Sequence, residues 1–413
     1  MELIKAHVTN FRSVEDSEEF DAGQVVCLVG KNEAGKSALL TALAALNPHP
    51  STPAIFDKER DYPRRHLASY AERHPDEDAI TIVTEWVFAD DEKAELDMLL
   101  GAGALGPTIK IQRRYGGDIE YAHRINFDIV LPHLYKQFDL ADEEITVLGS
   151  PNTTDKLIDI LKNLQTPSES HKKLLDFLGK EGSATQQATK FIKARLPKFM
   201  YVSSYDRMDG TVQFEQIGQL KNQNALDSDE NRGKKLFLEF LQYAGISLDE
   251  LLKQKTYETY NALLQAASNK ITDQILEYWT QNPDLSVEVK VAAGMPGDPA
   301  PFNQGTVARA RIYNSLHRVD TPFSERSAGF VWFFSFLVKF AQVKNETNPV
   351  ILLLDEPGLT LHGKAQADLL RFFKEKLAPH HQVIYSTHSP FMVPAGDLAS
   401  IRVVQDVIEM KSH

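Results

Sequence analysis

The chain has 413 residues, of which 42% are hydrophobic and 25% are charged, and its formal net charge is −12. This length is enough for roughly two or three domain-sized units with large cores. The acidic balance, with a sequence pI near 5.6, disfavours a protein that coats nucleic acid with its whole surface, because such proteins are usually basic. Local basic patches remain compatible with that balance.

The cysteine content and the apolar segments favour a cytoplasmic protein. Cys27 is the single cysteine, so no intrachain disulfide can form. It lies in the apolar run 25–29, where a small buried hydrophobe is expected rather than a reactive thiol. The N-terminus lacks the basic and then apolar pattern of a signal peptide. The most apolar stretch, residues 329–340, is too short to span a bilayer, so we predict no membrane partner.

The first part of the chain predicts strands around one helix. Residues 3–8 alternate in polarity, and residues 24–30 form a nearly continuous apolar run that is typical of a buried strand. Residues 37–46 are rich in Ala and Leu and predict a helix that Pro48 closes. Residues 80–88 and 108–114 are β-prone and predict two further strands.

The middle of the chain predicts helices. Residues 155–164 and the long stretch 233–279 carry apolar residues at helical spacing, interrupted by a β-prone run at 199–202. Helices packed on a core are favoured over a coiled coil, because the heptads are few. One apolar face is predicted for the last of these helices, made of Tyr260, Leu263, Leu264, Ala267, Ile271, Ile275 and Trp279.

The C-terminal part returns to strands. Residues 285–291 and 307–313 alternate in polarity, and the final hundred residues predict helix, buried strand, helix and strand, which is typical of a parallel α/β sheet. We predict three segments: an N-terminal half at 1–125, a mainly helical insertion at 126–284 with a short core strand near 198–204, and a C-terminal half at 285–413 that shares one fold with the N-terminal half.

Residues 30–37 match the phosphate-loop pattern of glycine, four residues, glycine, lysine and serine. Its glycines allow backbone N–H groups to surround phosphate oxygens, and the following helix directs its positive end toward them. Lys36 is predicted to neutralise the β- and γ-phosphates of ATP, and the Ser37 hydroxyl to bind Mg²⁺. The predicted nucleotide-binding residues are Gly30, Asn32, Glu33, Ala34, Gly35, Lys36, Ser37 and Ala38.

Two further strands end in polar residues. The apolar run 350–354 leads into Asp355 and Glu356, at the predicted carboxyl edge of the sheet beside the phosphate loop. Asp355 is predicted to hold Mg²⁺ through a water molecule, and Glu356 to polarise the attacking water. Residues 382–387 form the next strand, and His388 after it is a candidate γ-phosphate sensor.

These motifs together resemble a known group of proteins. The sequence Asn-Phe-Arg-Ser at 10–13, the phosphate loop, Leu-Asp-Glu-Pro at 354–357 and Ser-Thr-His-Ser-Pro at 386–390 are similar to the ABC-type ATPases of DNA metabolism. That group includes the structural-maintenance-of-chromosomes (SMC) proteins, RecF and the OLD (overcoming lysogenization defect) nucleases. The OLD family is most similar, through residues 61–64 and 356–362. The resemblance covers roughly residues 1–125 and 320–413.

The resemblance implies an α/β fold: an ABC-type P-loop ATPase head with a mixed sheet and a helical insertion. It also places residues 323–329 at the ABC signature, where Ser327 and Gly329 are the matching positions. In the family the signature contacts the γ-phosphate of the opposite subunit, which implies a homodimer or higher homo-oligomer that ATP closes through the heads. A helix cap formed by Ser324 or Ser327 is the structural alternative.

OLD nucleases continue into a Toprim metal-nuclease domain, whereas only 25 residues follow His388 in this sequence. We therefore expect either the ATPase part of a nuclease or a subunit whose nuclease effector is a separate chain. The implied activity is Mg²⁺-dependent ATP hydrolysis that gates a DNA-directed nuclease, plausibly in defence against phage. A RecF-like DNA-repair clamp and an ATP-binding scaffold with little turnover are the alternatives. DNA contacts are candidates at basic clusters, for which solvated surface charge is the favoured explanation: Arg64 and Arg65, Arg113 and Arg114, and Arg309, Arg311 and Arg318.

Overall fold

The computed structural model describes residues 1–52, 54, 56–246, 257–278, 282–343 and 349–407. The described part of the chain forms two compact units, each assembled from distant segments. The first unit contains Met1–Gly23 and Ser37–Met200, and the second contains Gln24–Lys36 and Tyr201–His413. These units do not test the three predicted segments, whose boundaries remain predictions.

An antiparallel sheet organises the first unit. The strand Ile80–Val87 lies near its middle and buries alternate residues, with Ile82 and Trp86 fully enclosed, as expected for a sheet covered on one face. The strands predicted at 3–8, 80–88 and 108–114 are confirmed. In order across the sheet the strands are Val14–Asp16, Glu2–Phe11, Ile80–Val87, Thr108–Arg114 and Ile119–Ala122, with Phe20–Asp21 also paired to Glu2–Phe11.

Helices lie between and after the strands of this sheet along the chain. The helix predicted at 155–164 is confirmed as Thr154–Asn163, which Thr153 caps by accepting a hydrogen bond from Lys156 N and which buries Leu157 and Leu161. The other α-helices with residues in this unit are Lys36–Ala44, Lys58–Asp61, Tyr70–Arg73, Asp90–Leu100, Phe127–Gln137, Asp142–Leu148, Glu169–Glu181 and Ala184–Arg195. A 3₁₀-helix spans Arg64–Ser69.

A sheet with parallel pairing lies in the second unit. Its strand order is Ile401–Val403, Val25–Val29, Val383–Thr387, Val350–Asp355 and Lys198–Ser203, and of the last strand the residues Tyr201–Ser203 belong to the second unit. Every residue of Val350–Asp355 and of Val383–Thr387 is buried, because parallel strands are normally covered on both faces. The predicted parallel α/β arrangement and the short strand near 198–204 are confirmed as elements of this sheet.

A second sheet of this unit is antiparallel and packs with helices around a phenylalanine-rich core. Leu285–Ala293 and Thr306–Asn314 form a hairpin, confirming the strands predicted there, and Val319–Pro322 and Thr211–Gln213 pair beside it. The core residues Phe240, Phe323, Phe330 and Phe334 are all nearly inaccessible to solvent. The helices are Phe214–Asn222, Arg232–Tyr243, Tyr257–Tyr278, Ala328–Val343 and Gly363–Phe372, which continues as a π-turn over Phe373–Leu377, with 3₁₀ turns at Asp229–Asn231, Phe323–Glu325, Pro390–Met392 and Leu398–Ser400.

The apolar face predicted for the helix Tyr257–Tyr278 is partly correct. Leu264, Ala267 and Ile271 are buried in the core, whereas Leu263 is 42% exposed. Leu263 precedes Leu264 by about 100° around the helix, so it falls at the border of the apolar stripe and remains in contact with solvent. The side chains of Tyr260, Ile275 and Trp279 lie outside the described residues.

The thiol of Cys27 is inert, as predicted. The residue is fully buried in the strand Val25–Val29, and burial raises the pKa of its thiol to about 11. Because the thiolate is the reactive form, this cysteine acts as a small hydrophobe of the core.

Candidate functional site

The parallel strands of the second unit bring distant motifs to one edge. Leu354 pairs in register with Tyr385, and Thr387 pairs with Val29. The strands Val25–Val29, Val350–Asp355 and Val383–Thr387 therefore end together. Since ligands bind at the carboxyl ends of strands in α/β sheets, the residues that follow these strands form the candidate site.

The phosphate loop leaves the strand Val25–Val29 at Gly30. A Cβ on Gly30 would lie 2.2 Å from the Val404 carbonyl oxygen, so only glycine fits at that position. Glu33 has φ +67° and Gly35 has φ +100°, and residues 31–33 are exposed while Gly35 is buried. Left-handed residues within a loop turn successive N–H groups inward and form an anion-binding concavity.

Lys36 lies at the end of this loop and at the start of the helix Lys36–Ala44. Its side chain is buried, and its Nζ donates hydrogen bonds to the Gly30 and Lys31 carbonyl oxygens, both at 2.9 Å. The ammonium group is thus held against the concavity of its own loop.

Ser37 and Ala38 continue this helix within the first unit. Ser37 is exposed and Ala38 is buried, and the Thr41 hydroxyl donates to the Ser37 carbonyl oxygen at 2.7 Å. Both residues belong to the first helical turn, where unpaired N–H groups and the helix dipole favour an anion.

Asp355 ends its strand with both carboxylate oxygens engaged. The Ser386 hydroxyl donates to Oδ1 at 2.6 Å, and the Tyr201 hydroxyl donates to Oδ2 at 2.8 Å. Asp355 is 9% exposed. The two hydroxyls fix the orientation of a buried carboxylate, which is the ligand type that Mg²⁺ prefers.

Glu356 is held in an uncommon backbone conformation, with φ +50°. Its N–H donates to the Ser386 hydroxyl oxygen at 2.9 Å. Its carboxylate lies between two other predicted site residues: Oε1 is 3.5 Å from Lys36 Nζ, and Oε2 is 2.9 Å from His388 Nδ1. The His388 backbone N–H also approaches Oε2, at 3.3 Å, while the imidazole stays 40% exposed.

The structure therefore brings Lys36, Asp355, Glu356 and His388 together, as the sequence predicts. A loop of inward amides, a buried ammonium and a buried carboxylate match the phosphates and the divalent cation of a nucleotide in charge and in donor chemistry. The carboxylate of Glu356 lies within reach of both a cation and an imidazole.

The segment predicted as the signature also lies in the second unit. Ser327 is exposed directly before the helix Ala328–Val343, and its hydroxyl oxygen accepts a hydrogen bond from Phe330 N at 3.3 Å. Gly329 is buried, and a Cβ there would lie 2.7 Å from Leu361 Cδ2 and 2.8 Å from the Thr360 carbonyl oxygen. Ser327 thus makes the helix-cap contact, and Gly329 permits close packing. Neither contact tests their predicted role across a dimer.

A family model described as AAA ATPase domain matches residues 1–393. This chain belongs to the AAA ATPase domain family. Membership of the family, with the α/β architecture described above, confirms the predicted ATPase fold class. No curated protein sequence matches this chain.

Solved structures similar to this AAA ATPase domain include heads of SMC proteins. One is the SMC head domain from Thermotoga maritima, which is 15% identical with a TM-score of 0.38, over 98% of this chain and 94% of that chain. Another is an Smc head with an extended coiled coil bound to the C-terminal domain of ScpA, derived from Pyrococcus furiosus. It is 14% identical with a TM-score of 0.39, over 98% of this chain and 93% of that chain. A third is an SmcHead bound to the C-winged helix domain of ScpA. It is 13% identical with a TM-score of 0.41, over 98% of this chain and 95% of that chain.

Two polar residues of the site were not predicted. Tyr201 precedes Asp355 by 154 positions in sequence, and it appears only as one residue of a β-prone run. Ser386 lies within the run 386–390 that the resemblance identifies, but its bond to Asp355 could not be read from it. A polar residue inside an otherwise apolar buried strand is the available signal for both.

Five of the arginines in the predicted basic clusters contact groups within the chain. Arg113 is half-buried and donates to the Ala45 carbonyl oxygen, near the end of the helix Lys36–Ala44. Such pairing supports solvated or structural charge over DNA contact. Ion pairs link Arg65 to Glu15, Arg114 to Glu77 and Glu120, Arg309 to Asp298, and Arg311 to Asp320.

The described ranges contain neither a candidate membrane-spanning helix nor a candidate metal-binding group. No helix among the described residues combines the length and the apolar character needed to cross a membrane. Within the same residues, no group of three or more His, Cys, Asp and Glu side chains is arranged to hold a metal ion.

Proposed function

We propose that this chain binds ATP with Mg²⁺ and hydrolyses it, using Glu356 as the group that activates water. The observation that carries the proposal is the position of the Glu356 carboxylate, 3.5 Å from Lys36 Nζ and 2.9 Å from His388 Nδ1. A phosphate-loop lysine beside a carboxylate that can position or activate water is an arrangement that phosphoryl transfer to water uses.

Each residue has a separate task in this proposal. The loop amides and Lys36 bind the phosphates, while Ser37 and Asp355 are the proposed Mg²⁺ ligands. Bound Mg²⁺ supplies positive charge that neutralises the phosphate oxygens. Glu356 accepts a proton from the attacking water molecule. His388 holds the Glu356 carboxylate in place, and its exposed imidazole can contact the γ-phosphate of a bound nucleotide.

Glu356→Gln tests this assignment, because it preserves the shape of the side chain but removes the base. ATP affinity is expected to persist, since the phosphate loop is unchanged, while turnover falls by roughly 10²-fold or more. Glu375→Gln, on an exposed glutamate of the π-turn, is the control and should retain full turnover. Equal hydrolysis by the Glu356→Gln variant and the wild type would remove Glu356 from its role. Tight ATP binding with little wild-type turnover would favour the scaffold.

We also propose that ATP closes a homodimer through Ser327 and Gly329. The exposed position of Ser327 supports this, because a residue that reaches a second subunit must be accessible. In light scattering, Glu356→Gln should form an ATP-dependent dimer, and adding Ser327→Arg should disrupt it by bulk. An assembly state that does not respond to ATP would contradict the dimer.

The use of the ATPase is proposed from the OLD-like motifs: it gates a DNA-directed nuclease effector in defence against phage. The experiment is to purify the protein together with the products of neighbouring genes and to measure DNA cleavage with and without ATP. Cleavage that depends on ATP and is lost with Lys36→Ala would support the proposal. ATP-controlled DNA binding without cleavage would favour the RecF-like clamp.

A further inference from the structure

Gln366 connects two segments of the candidate site. It lies in the first turn of the helix Gly363–Phe372 and is 4% exposed. Its side-chain Nε2 donates to the Gly358 carbonyl oxygen at 2.9 Å, and its Oε1 accepts from the Ser389 hydroxyl at 2.8 Å. Both ends of one buried amide are therefore used in long-range contacts.

One end of this bridge holds the turn that begins at Glu356. Leu359 N donates to the Glu356 carbonyl oxygen at 3.3 Å, and Leu361 N donates to the Gly358 carbonyl oxygen at 2.9 Å. Gly358 has φ +69°, so the turn reverses direction two residues after the proposed base. Gln366 gives the Gly358 carbonyl oxygen a second hydrogen-bond donor and thereby fixes the position of this turn.

The other end holds the segment that carries His388. Ser389 follows His388 directly, and its N–H donates to the Thr387 hydroxyl oxygen at 3.0 Å. Its side-chain hydroxyl donates a hydrogen bond to Gln366 Oε1, which fixes the direction of that hydroxyl. Gln366 thus fixes both sides of the 2.9 Å contact between Glu356 Oε2 and His388 Nδ1.

We propose that Gln366 is a positioning residue that sets the spacing between the Glu356 turn and the His388 segment for ATP hydrolysis. This inference rests on the proposed function of Glu356. Positioning matters for rate because small displacements of a reacting group lower turnover by up to about 10²-fold. Phosphate binding does not pass through the bridge, since Lys36 and the loop amides belong to other elements.

Apolar packing also holds this region, so loss of the bridge should not unfold it. A Cβ on Gly363, at the start of the same helix, would lie 3.3 Å from the Phe391 ring, which shows how closely that ring packs there. Leu369 and Phe372 of the helix are buried. A variant without the Gln366 hydrogen bonds is therefore expected to keep the fold and to loosen the two turns.

The test compares Gln366→Met with a matched control, Gln187→Met. Gln187 is 5% exposed, and its Nε2 donates to the Gly182 carbonyl oxygen at 2.8 Å, so it is similarly buried and makes the same amide-to-glycine bond away from the site. Gln366→Met should lower kcat about tenfold while the Kd for ATP changes less than about threefold. Gln187→Met should leave both quantities unchanged, although its Tm should fall by about as much as the Tm of Gln366→Met.

A double-mutant cycle identifies the route of the effect. Ser389→Ala should lower kcat by less than Gln366→Met, and the double variant should be no slower than Gln366→Met alone, because the two residues form one contact. Ser389→Thr retains the hydroxyl and should restore most of the rate. A wild-type kcat for Gln366→Met, or equal losses for the Gln187 control, would overturn the inference.

Hydrogen exchange separates this inference from the proposed function. In Gln366→Met, the backbone amides of 356–361 and 388–392 should exchange faster than in the wild type, whether or not the protein hydrolyses ATP. A wild-type protein without ATPase activity would defeat the proposed function alone. Unchanged exchange in both segments would defeat the bridge alone.

Discussion

Asp355 and Asp206 are both buried carboxylates of the second unit, and the structure describes different donors at their oxygens. Asp355 accepts hydrogen bonds from the neutral hydroxyls of Ser386 and Tyr201. Asp206, which is 3% exposed, has Oδ1 at 3.2 Å from Lys339 Nζ and 3.3 Å from an Arg232 nitrogen. Neutral donors orient a carboxylate without cancelling its charge, whereas two cations cancel it.

This difference separates a candidate metal ligand from a structural ion pair. A carboxylate that keeps its charge attracts Mg²⁺, while one that is neutralised by Lys339 and Arg232 stabilises the packing around it. Residue type and burial are alike at the two positions, so neither property identifies the role of the carboxylate. The groups that contact the carboxylate identify it.

The Asp206 cluster also fastens the loop after Tyr201 to the helix Ala328–Val343. Trp332 Nε1 donates to the Ser203 carbonyl oxygen at 3.1 Å, and Met208 N donates to the Ser335 hydroxyl oxygen at 2.8 Å. Together with Lys339, these helix residues lie on one face at spacings of three and four. The ion pair therefore stabilises a junction between elements rather than a binding surface.

The largest effect on folding is expected from Asp206→Asn. The substitution removes the charge that compensates buried Lys339, which should lower the free energy of unfolding by about 3 kcal/mol. Urea denaturation measures it. Asp229→Asn is the control, because Asp229 also pairs with Arg232 but its side chain is 88% exposed. A loss as small as that of the control would show that Asp206 is not the structural acid of the comparison.

Asp355→Asn should reverse the pattern. The amide oxygen still accepts one of the hydroxyl hydrogen bonds, so the free energy of unfolding should change by about 1 kcal/mol or less. Turnover of ATP should fall by about 100-fold, because the proposed Mg²⁺ ligand loses its charge. Denaturation and ATPase assays on the Asp355 and Asp206 variants, run together, check the contrast. Strong unfolding of Asp355→Asn would make it structural as well.

A smaller effect is expected from Tyr201→Phe, which removes one of the two hydroxyls on Asp355. The loss of a single hydrogen bond of about 1 kcal/mol corresponds to a fall in turnover of about fivefold. Tyr205→Phe is the control, since Tyr205 is 84% exposed and follows the strand that contains Tyr201. If both variants retain the wild-type rate, Tyr201 does not orient the carboxylate.

The smallest effect at neutral pH is expected from Lys339→Met, because Arg232 still compensates Asp206. Burial lowers the pKa of Lys339, although Asp206 and Glu239 oppose that effect and Arg232 adds to it. The pKa in the folded state thus lies below the unfolded value near 10.5. The free energy of unfolding of the wild type, relative to Lys339→Met, should rise as pH approaches 10.5 from below. Denaturation at pH 7 and 9.5 tests this, with exposed Lys172→Met as the unresponsive control.

The sequence predicts the parts of the site that are local in the chain. Residues 30–37 are contiguous, and Asp355, Glu356 and His388 each follow a buried apolar run, so pattern and strand topology suffice to bring them together. Tyr201, Ser386 and Gln366 could not be assigned in this way, because their roles depend on contacts between separate elements. Leu263 was misplaced for a related reason: periodicity defines an apolar stripe, but packing decides where its border falls.

Glu356 occupies a left-handed backbone conformation, with φ +50°, which disfavours a side-chain-bearing residue by about 1 kcal/mol. Glycine or asparagine would relieve this strain. A laboratory evolution experiment that selects only for heat resistance should therefore enrich substitutions at position 356 and yield robust but inactive proteins. The retention of glutamate there would then require a selection that includes activity, so the position separates the two pressures.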